Sequence, residues 1–297
     1  MSGRLKKKRN PWAIIFYRLK ITGIMNKLPD SIYLKFMFRA AMNRKLDLKH
    51  PKTFNEKLQW LKLHDRNDIY TTMVDKYKVK KYISELIGTE YTIPTIGVWD
   101  KFDEIDFNKL PNQFVLKCTH DSGGLVICKD KSTFNISNAR KKIESSMKNN
   151  FFWFGREWPY KDVRPRIIAE QYLADNLQDY KLFCFNGVPK ITLVCSDRFT
   201  KDGLKEDFFD KDWNHLDVQR PTHSNAIVTI QRPKNYELMK KLAAKISEKI
   251  PFVRIDFYEI NNKIYFGEIT FYPASGFEGF KPEEWDMKLG EWIKLPN

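Results

Sequence analysis

The segment FVRIDFYEINNKIYFGEITF, residues 252–271, constrains this chain more than any other stretch. Alternating apolar and polar residues mark a strand, because successive side chains point to opposite faces. Here the alternation runs twice, with a turn sequence between. Val253, Ile255 and Phe257 share one face of the first run; Arg254, Asp256 and Tyr258 share the other. In the second run Ile269 and Phe271 alternate with Glu268 and Thr270. Two registers fit. A two-residue loop at Asn261-Asn262 sets Asp256 against Gly267 and turns Glu268 to the apolar face. A three-residue loop over Asn261–Lys263 sets Asp256 against Glu268, Arg254 against Thr270 and Ile255 against Ile269. The second keeps every charge on one face, so register logic prefers it. Two carboxylates facing each other across strands repel, and such a pair wants a cation. With only oxygen ligands nearby, Mg²⁺ suits them better than zinc.

Ahead of this hairpin the periodicity changes once. The first ninety residues predict helices. One covers Ser31–Arg44. A second opens at the capping-box sequence Thr53-Phe-Asn-Glu56 and turns Leu58, Trp60 and Leu61 inward. A third covers Asp75–Ile87 and closes at Gly88. From Tyr91 onward strands dominate: Tyr91–Val98, then Phe114–Thr119 and Leu125–Cys128 as a hairpin around the glycine tip His120-Asp-Ser-Gly-Gly124. Arg166–Leu173 follows, then Asp179–Phe185 and Lys190–Cys195 joined at Asn186-Gly187, a strong hairpin signal. Helices are predicted at Ser137–Lys148 and at Lys234–Ile250, the latter with Leu238, Leu242 and Ile246 on one face. Helices followed by antiparallel hairpins make an α+β pattern rather than a regular βαβ alternation. No Rossmann or Walker glycine fingerprint is present.

Composition excludes disorder, since hydrophobic residues are 42% and aromatics 14% of 297 residues. The apolar runs fall short of the roughly 20 residues that span a bilayer. The opening MSGRLKKKRNPWAIIF is too short in its apolar part for a secretory signal. Cys118, Cys128, Cys184 and Cys195 each sit in a strand-like run, as small buried hydrophobes of a reducing compartment do. A cytoplasmic location is therefore expected. The net charge is +15, and seven of the positives fall within residues 1–20 with no acid among them. With Trp12, Ile14, Ile15, Phe16 and Tyr17 interleaved, residues 4–20 suit an anionic membrane surface. The remaining basic excess suits a nucleotide or an acidic sugar. Nucleic acid is not expected as a partner, because the positives are spread and no recognition motif appears.

Several polar residues interrupt apolar strands. Lys117 stands mid-strand in Phe-Val-Leu-Lys-Cys, next to a glycine tip whose backbone N–H groups could cradle phosphates. Glu170 interrupts Ile-Ile-Ala-Glu-Gln-Tyr-Leu. Asp179 and Lys181 share a face opposite Tyr180 and Leu182, where a surface ion pair explains them equally well. Asp210-Lys-Asp212 is a D-x-D, the metal triplet of many glycosyltransferases, in a sequence that reads as a turn.

The order of these features resembles the ATP-grasp superfamily. More closely, FNEKLQWLK, DKYKVKKYI, IPTIGVW, LPNQFVLKCTHDSGG, REWPYKDVRPRIIAEQYL, DYKLFCFNG, VRIDFY and FGEITFYPASGF resemble its TupA-like (teichuronopeptide-type) family, associated with bacterial cell-surface polysaccharide loci. The resemblance runs from about Phe54 to the end. It implies an ATP-grasp fold of two α+β subdomains clasping ATP, behind a helical N-terminal region. It divides the chain into a basic tail (1–20), a helical region (21–90), a lid or central subdomain (91–175) and a C-terminal subdomain with the metal site (176–297).

The resemblance also implies roles. Lys117 would meet the ATP phosphates or the adenine edge, and Ser122, Gly123 and Gly124 would cover the phosphates. Glu170 and the backbone of Gln171, Tyr172 and Leu173 would hold adenine, Asp179 the ribose and Lys181 a phosphate. Asp256 and Glu268 would bind Mg²⁺, with Thr270 standing where many relatives have Asn. Arg254 would steady the transferring phosphoryl group. Arg198, Arg156 and Lys161 are candidates for holding an acidic acceptor. The implied activity is an ATP- and Mg²⁺-dependent, ADP-forming carboxylate–amine ligase that amidates a uronic acid with an amino acid or amine. A glycosyltransferase of the same polysaccharide pathway is the alternative, resting on Asp210 and Asp212.

Overall fold

A computed structural model describes residues 23–175, 177–197 and 203–296. The basic tail over residues 4–20 and Arg198 lie outside the described residues.

The N-terminal part carries helices α1 (Asp30–Met42), α2 (Phe54–His64), α3 (Ile69–Val74) and α4 (Lys78–Leu86). The expected capping box opens α2: the Thr53 hydroxyl accepts from the Glu56 N–H at 3.3 Å, and the Glu56 carboxylate accepts from the Thr53 N–H at 3.0 Å. Leu58 and Leu61 are buried, whereas Trp60 is half-buried and lies against the His64 ring. Helix α4 starts three residues later than expected. The Asp75 carboxylate accepts from the Tyr77 and Lys78 N–H groups at 2.9 and 3.2 Å, a local turn that competes with helix.

Two antiparallel sheets follow. Strands β1 (Thr95–Trp99), β2 (Phe114–Cys118), β3 (Leu125–Cys128) and β4 (Ile167–Gln171) form a four-stranded sheet in the order β1-β4-β2-β3. Helix α5 (Ile136–Met147) covers it with Ala139 and Ile143. A short helix α6 (Phe152–Gly155) leads back toward α1. The second sheet has β5 (Asp179–Phe185), β6 (Val188–Ser196), β7 (Lys205–Asp210), β8 (Phe252–Ile260) and β9 (Lys263–Thr270), ordered β7-β6-β5-β8-β9. Helix α7 (Tyr236–Ile246) covers it, burying Tyr236, Met239, Leu242, Ala243 and Ile246, while Leu238 points outward at 36% exposure. The stripe thus begins at Tyr236, not Leu238, whose inward expectation is corrected. Helix α8 (Glu284–Trp292) had no counterpart in the sequence reading. It is fixed to α2 by Asp286, which accepts from the Asn55 N–H at 3.0 Å and from its side-chain amide at 2.8 Å.

One strand was missed as well. FFDKDWN read as a turn, yet Phe208 and Phe209 are buried in β7 and only the Lys211-Asp212 end turns. All four cysteines are free and buried. Among the described residues no helix is long and apolar enough to cross a membrane.

The β8–β9 hairpin combines the two registers considered above. Its loop has two residues, Asn261 and Asn262, both left-handed at φ 51° and 61°, and Ile260 pairs with Lys263. Yet Asp256 pairs with Glu268, Ile255 with Ile269 and Arg254 with Thr270. A bulge at Gly267 supplies the extra residue that a three-residue loop would have supplied.

Candidate active site

Between the two sheets lies a cavity of about 390 Å³, bounded by both and by the start of α4. Its walls are apolar at Val115, Ile127, Leu173 and Phe266, and its polar groups converge from Lys76, Lys80, Lys117, Glu170, Asp179, Lys181 and Glu268. An apolar slot with a few convergent charges is the usual form of a small-molecule site.

In the four-stranded sheet, Lys117 on β2 and Glu170 on β4 are brought together at 2.6 Å. Lys80, from α4, reaches the other Glu170 oxygen. Burial pushes the Glu170 carboxyl up, but Lys117 and Lys80 outweigh it and hold it below the ordinary range. Burial lowers the Lys80 ammonium, with Glu170 only partly restoring it. The Glu170 side chain is thus committed to two lysines, and the edge of the cavity there is formed by the lysines and by Gln171, Tyr172 and Leu173. Tyr172 donates its hydroxyl to Asp175 at 2.6 Å, and Lys129 pairs with the same carboxylate.

The glycine tip also lines the cavity, through Ser122, Gly123 and Gly124. It is braced by Asp121, a residue the sequence reading passed over. The Gly124 N–H donates to Asp121 at 3.1 Å, Ser146 donates to the same carboxylate, and the Lys76 ammonium donates to the Asp121 carbonyl. Gly124 has no room for a side chain, since a Cβ would stand 2.5 Å from the Cys118 sulfur. Gly123 faces open space.

On the five-stranded sheet, Lys181, Asp256 and Glu268 form one row across β5, β8 and β9, and Arg254 and Thr270 form the next. Arg254 holds this face together. Its Nε and an Nη donate to the two Asp256 oxygens at 2.7 and 2.8 Å, and an Nη donates to Glu268 at 2.9 Å and to the Thr270 hydroxyl at 3.0 Å. Lys181 donates to Asp256 and lies 3.7 Å from Asp179. Burial pushes Asp256 above the ordinary carboxylate range, against Arg254 and Lys181. Burial also pushes Glu268 up, but Lys181, Arg254 and Lys76 outweigh it and bring it down to about 2.

Of the three residues read as metal ligands, only Glu268 lines the cavity; Asp256 is buried beneath it, and the Thr270 hydroxyl accepts from Arg254. Among the described residues no group of three or more His, Cys, Asp or Glu side chains forms a ready metal centre. The donors are all oxygens, which suits Mg²⁺. Glu268 is the carboxylate open to the cavity, whereas Asp256 is engaged by Lys181 and Arg254.

Behind this face sits a buried pair with no precedent in the sequence reading. Lys62 of α2, fully buried, donates to Gln59 at 3.0 Å, to the Gly155 carbonyl at 2.7 Å and to the Ser275 carbonyl at 2.8 Å. Ser275 belongs to the turn after β9, where Ala274 and Ser275 are left-handed at φ 47° and 56°. Glu157 is buried beside Lys62, and its surroundings include Arg254 and Glu268.

Other candidates fall elsewhere. Arg156, read as a hold on an acidic acceptor, is 1% exposed and donates to the carbonyls of Met25, Asn26 and Leu28 at 3.1–3.4 Å; that expectation is corrected. Lys161 is exposed and lies over the Phe152 ring, outside the cavity lining. Asp210 and Asp212 are spent on their own turn: Asp210 accepts from the Asp212 and Asn214 N–H groups at 2.9 and 2.8 Å, and Asp212 pairs with Lys211. Lys76 and Lys80 are the main residues that sequence reasoning missed. Their signal was the lysine-rich DKYKVKKYI, in which Lys76 stands in the turn before α4 and Lys80 in its first turn.

Two antiparallel α+β units with a charged, nucleotide-sized cavity between them define an ATP-grasp protein, an ATP-dependent ligase class. The TupA-like ATP-grasp family profile matches residues 56–294, and the chain belongs to that family. The structure is similar to a D-alanine–D-alanine ligase from Helicobacter pylori, with 15% identity over 81% of this chain and 69% of that one and a TM-score of 0.46. It is also similar to a D-alanine–D-alanine ligase from Bacillus anthracis complexed with ATP, with 16% identity over 75% and 65% of the two chains and a TM-score of 0.42. A third likeness is to an L-amino acid ligase from Bacillus licheniformis, with 12% identity over 89% and 55% and a TM-score of 0.40. This chain thus spans little more than half to about two-thirds of the length of these proteins. No curated protein matches it.

Proposed function

We propose that this chain is an ADP-forming carboxylate–amine ligase, and that it amidates a uronic acid of a bacterial surface polysaccharide with an amino acid or amine. The observation that carries the reading is the row Lys181, Asp256, Glu268 with Arg254 beside it, at one end of the cavity. Two cations and two carboxylates there suit the outer phosphates of ATP. Lys117, Lys80 and the Ser122–Gly124 tip suit the rest of the nucleotide, with Gln171, Tyr172 and Leu173 at the base and Asp179 at the ribose.

The chemistry follows from charge. The acceptor carboxylate oxygen attacks the γ-phosphorus, the bond to the β–γ bridging oxygen breaks, and ADP leaves. Arg254 and Lys181 offset the charge that builds on the transferred group, and positioning does most of the work. Mg²⁺ held by Glu268 and Asp256, with Thr270 nearby, would neutralise the phosphate oxygens. The amine nitrogen then attacks the acyl carbon, inorganic phosphate leaves, and the nitrogen loses a proton. The glycine tip and Lys76 would close the site, since an acyl phosphate hydrolyses if water enters. The four free cysteines fit a cytoplasmic enzyme.

The test supplies ATP, Mg²⁺ and hydroxylamine with a uronic acid or its neutral parent sugar. The uronic acid should release ADP and phosphate and give a hydroxamate. Equal ADP release with the neutral sugar, or a sugar phosphate as product, would make the protein a kinase and overturn the amide assignment.

A further inference from the structure

We infer that a small recess beside the nucleotide cavity receives the attacking nitrogen of the amine, with Tyr160 as its hydrogen-bond partner, and that it admits primary amines only. The inference rests on the ligase reading above and deepens it. The recess has a volume of about 10 Å³. Lys76, Gly267 and Glu268 line both it and the nucleotide cavity, so the two spaces adjoin at Glu268.

Tyr160 lines the recess and not the larger cavity. It stands at the end of the short turn Trp158–Tyr160, which is held from both sides. The Tyr160 N–H donates to the Glu157 carbonyl at 3.1 Å, and the Trp158 indole N–H donates to the Asp65 carbonyl at 3.3 Å. The Tyr160 ring meets the Phe151 ring edge-on at 4.9 Å. Its hydroxyl has no hydrogen-bond partner among the described residues. A tyrosine withdrawn from solvent normally finds one. Burial, then Glu157 and Glu268, push the phenol well above its ordinary range, against Arg254. It therefore stays a neutral hydroxyl whose oxygen can accept from an N–H.

Charge and size choose the occupant. An acceptor uronate is too large for the recess, and there its carboxylate would face that of Glu268, with the buried Glu157 near by. A nitrogen bearing N–H groups finds two acceptors instead, the Glu268 carboxylate and the Tyr160 oxygen. Lys76 is the cation on the shared wall, and its ammonium donates to the Asp121 carbonyl. Like charge beside the nitrogen disfavours an ammonium and favours the free amine, the form that attacks. A volume of about 10 Å³ holds one water-sized group, which an amino nitrogen is. Met73 and Val74, buried on α3, close the recess and leave no space for a methyl group on that nitrogen. The rest of the amine lies in the larger cavity.

The experiment gives the full chain ATP, Mg²⁺ and a uronic acid, and follows hydroxamate formation with hydroxylamine and with N-methylhydroxylamine, each corrected for its rate with acetyl phosphate in solution. N-methylhydroxylamine should react about tenfold more slowly or worse, the scale of an overpacked methyl group. Tyr160→Phe should raise the KM for hydroxylamine about tenfold, the order of one lost hydrogen bond. The KM values for ATP and for the uronic acid should stay as in the parent, a split that a purely structural role does not give. Equal use of the two traps by the parent, a comparison that needs no variant, overturns the inference. So does an unchanged hydroxylamine KM in Tyr160→Phe, or a raised uronic acid KM, which would assign the recess to the acceptor. A parent that releases no ADP with any uronic acid overturns the ligase reading and this inference with it, whereas uronate-dependent ADP release with equal traps overturns this inference alone.

Discussion

Asp256 and Glu268 stand directly opposite each other on β8 and β9, although the loop joining those strands has only two residues. A strand's faces alternate, so a two-residue loop with a regular ladder would turn Glu268 toward the core. The bulge at Gly267 restores it to the cavity side. At that glycine a Cβ would stand 3.0 Å from the Tyr258 ring and 3.2 Å from the Asp256 carbonyl.

Deleting Gly267 should therefore abolish turnover and destabilise the fold, because it drives the Glu268 carboxylate into apolar packing. Gly267→Ala should be milder, since the Tyr258 ring and the Asp256 carbonyl need give way by only a few tenths of an ångström. Thermal unfolding and ATP-dependent ADP release on both variants check this. A deletion variant that keeps the parent's turnover would show that the bulge does not set the site.

Lys117→Met should weaken ATP binding by about ten- to hundredfold, the worth of a charge-assisted bond of roughly 1.5–3 kcal/mol. Lys80→Met tests the same point from α4. Both remove a cation that also holds the buried Glu170, so Glu170→Gln should weaken binding too, by freeing the two lysines that it orients. Isothermal titration with ATP and Mg²⁺ decides. Unchanged affinity in all three would move the nucleotide away from this end of the cavity.

Glu268 carries a pH signature. Its folded-state carboxyl is held down to about 2 against an ordinary 4.5. A depressed acid stabilises the fold above its unfolded value, and the contribution disappears as pH falls from about 4.5 toward 2. With 42% of the side chain exposed, solvent screening keeps the effect small, about 1 kcal/mol or less. Urea unfolding of parent and Glu268→Gln should differ at pH 6, with the difference shrinking below about pH 4.5 and vanishing near pH 2. A difference that grows on acidification would contradict the ion pairing described.

Much of this was legible in the sequence. The alternation of residues 252–271 put Arg254, Asp256 and Glu268 on one face, and the structure joins them through one guanidinium. The loop length misled because a bulge at glycine leaves no mark on hydrophobic periodicity. Strand β7 was lost because Asp210, Lys211 and Asp212 gave a strong turn signal at its very end, overriding Phe208 and Phe209. Lys76 and Lys80 both stand in DKYKVKKYI, but a lysine in a stretch that predicts a helix reads as a solvated one until a sheet folds over it. Arg156 misled in the opposite sense: a basic residue in a motif suggests substrate, and here it holds backbone carbonyls in a small core.

The Lys62–Glu157 pair gives the last prediction, and no local pattern foretold it. Burial brings the Lys62 ammonium down to about 7 and the Glu157 carboxyl up to about 7; each draws the other back toward its charged form, and Ser275 and Arg254 do the same for Glu157. Lys62 also joins three segments: Gln59 on α2, Gly155 at the end of α6, and Ser275 in the left-handed turn that follows Thr270. Removing one member leaves the burial of the other less well compensated, which costs about 1–3 kcal/mol. Lys62→Met should lose stability on that scale, and so should Glu157→Gln to a lesser degree, since its amide still bonds Ser275. The double variant should be more stable than the sum of the two losses predicts, because neither charge is left alone. Turnover should fall in Lys62→Met beyond what unfolding accounts for, with ATP affinity kept, because the turn carrying Ser275 loses its tie next to Arg254 and Glu268. Urea unfolding of the four proteins and ADP release at a temperature where each is folded make the measurement. Strict additivity of the two losses would mean that the charges do not see each other. Undiminished turnover in folded Lys62→Met would confine the pair to holding the fold.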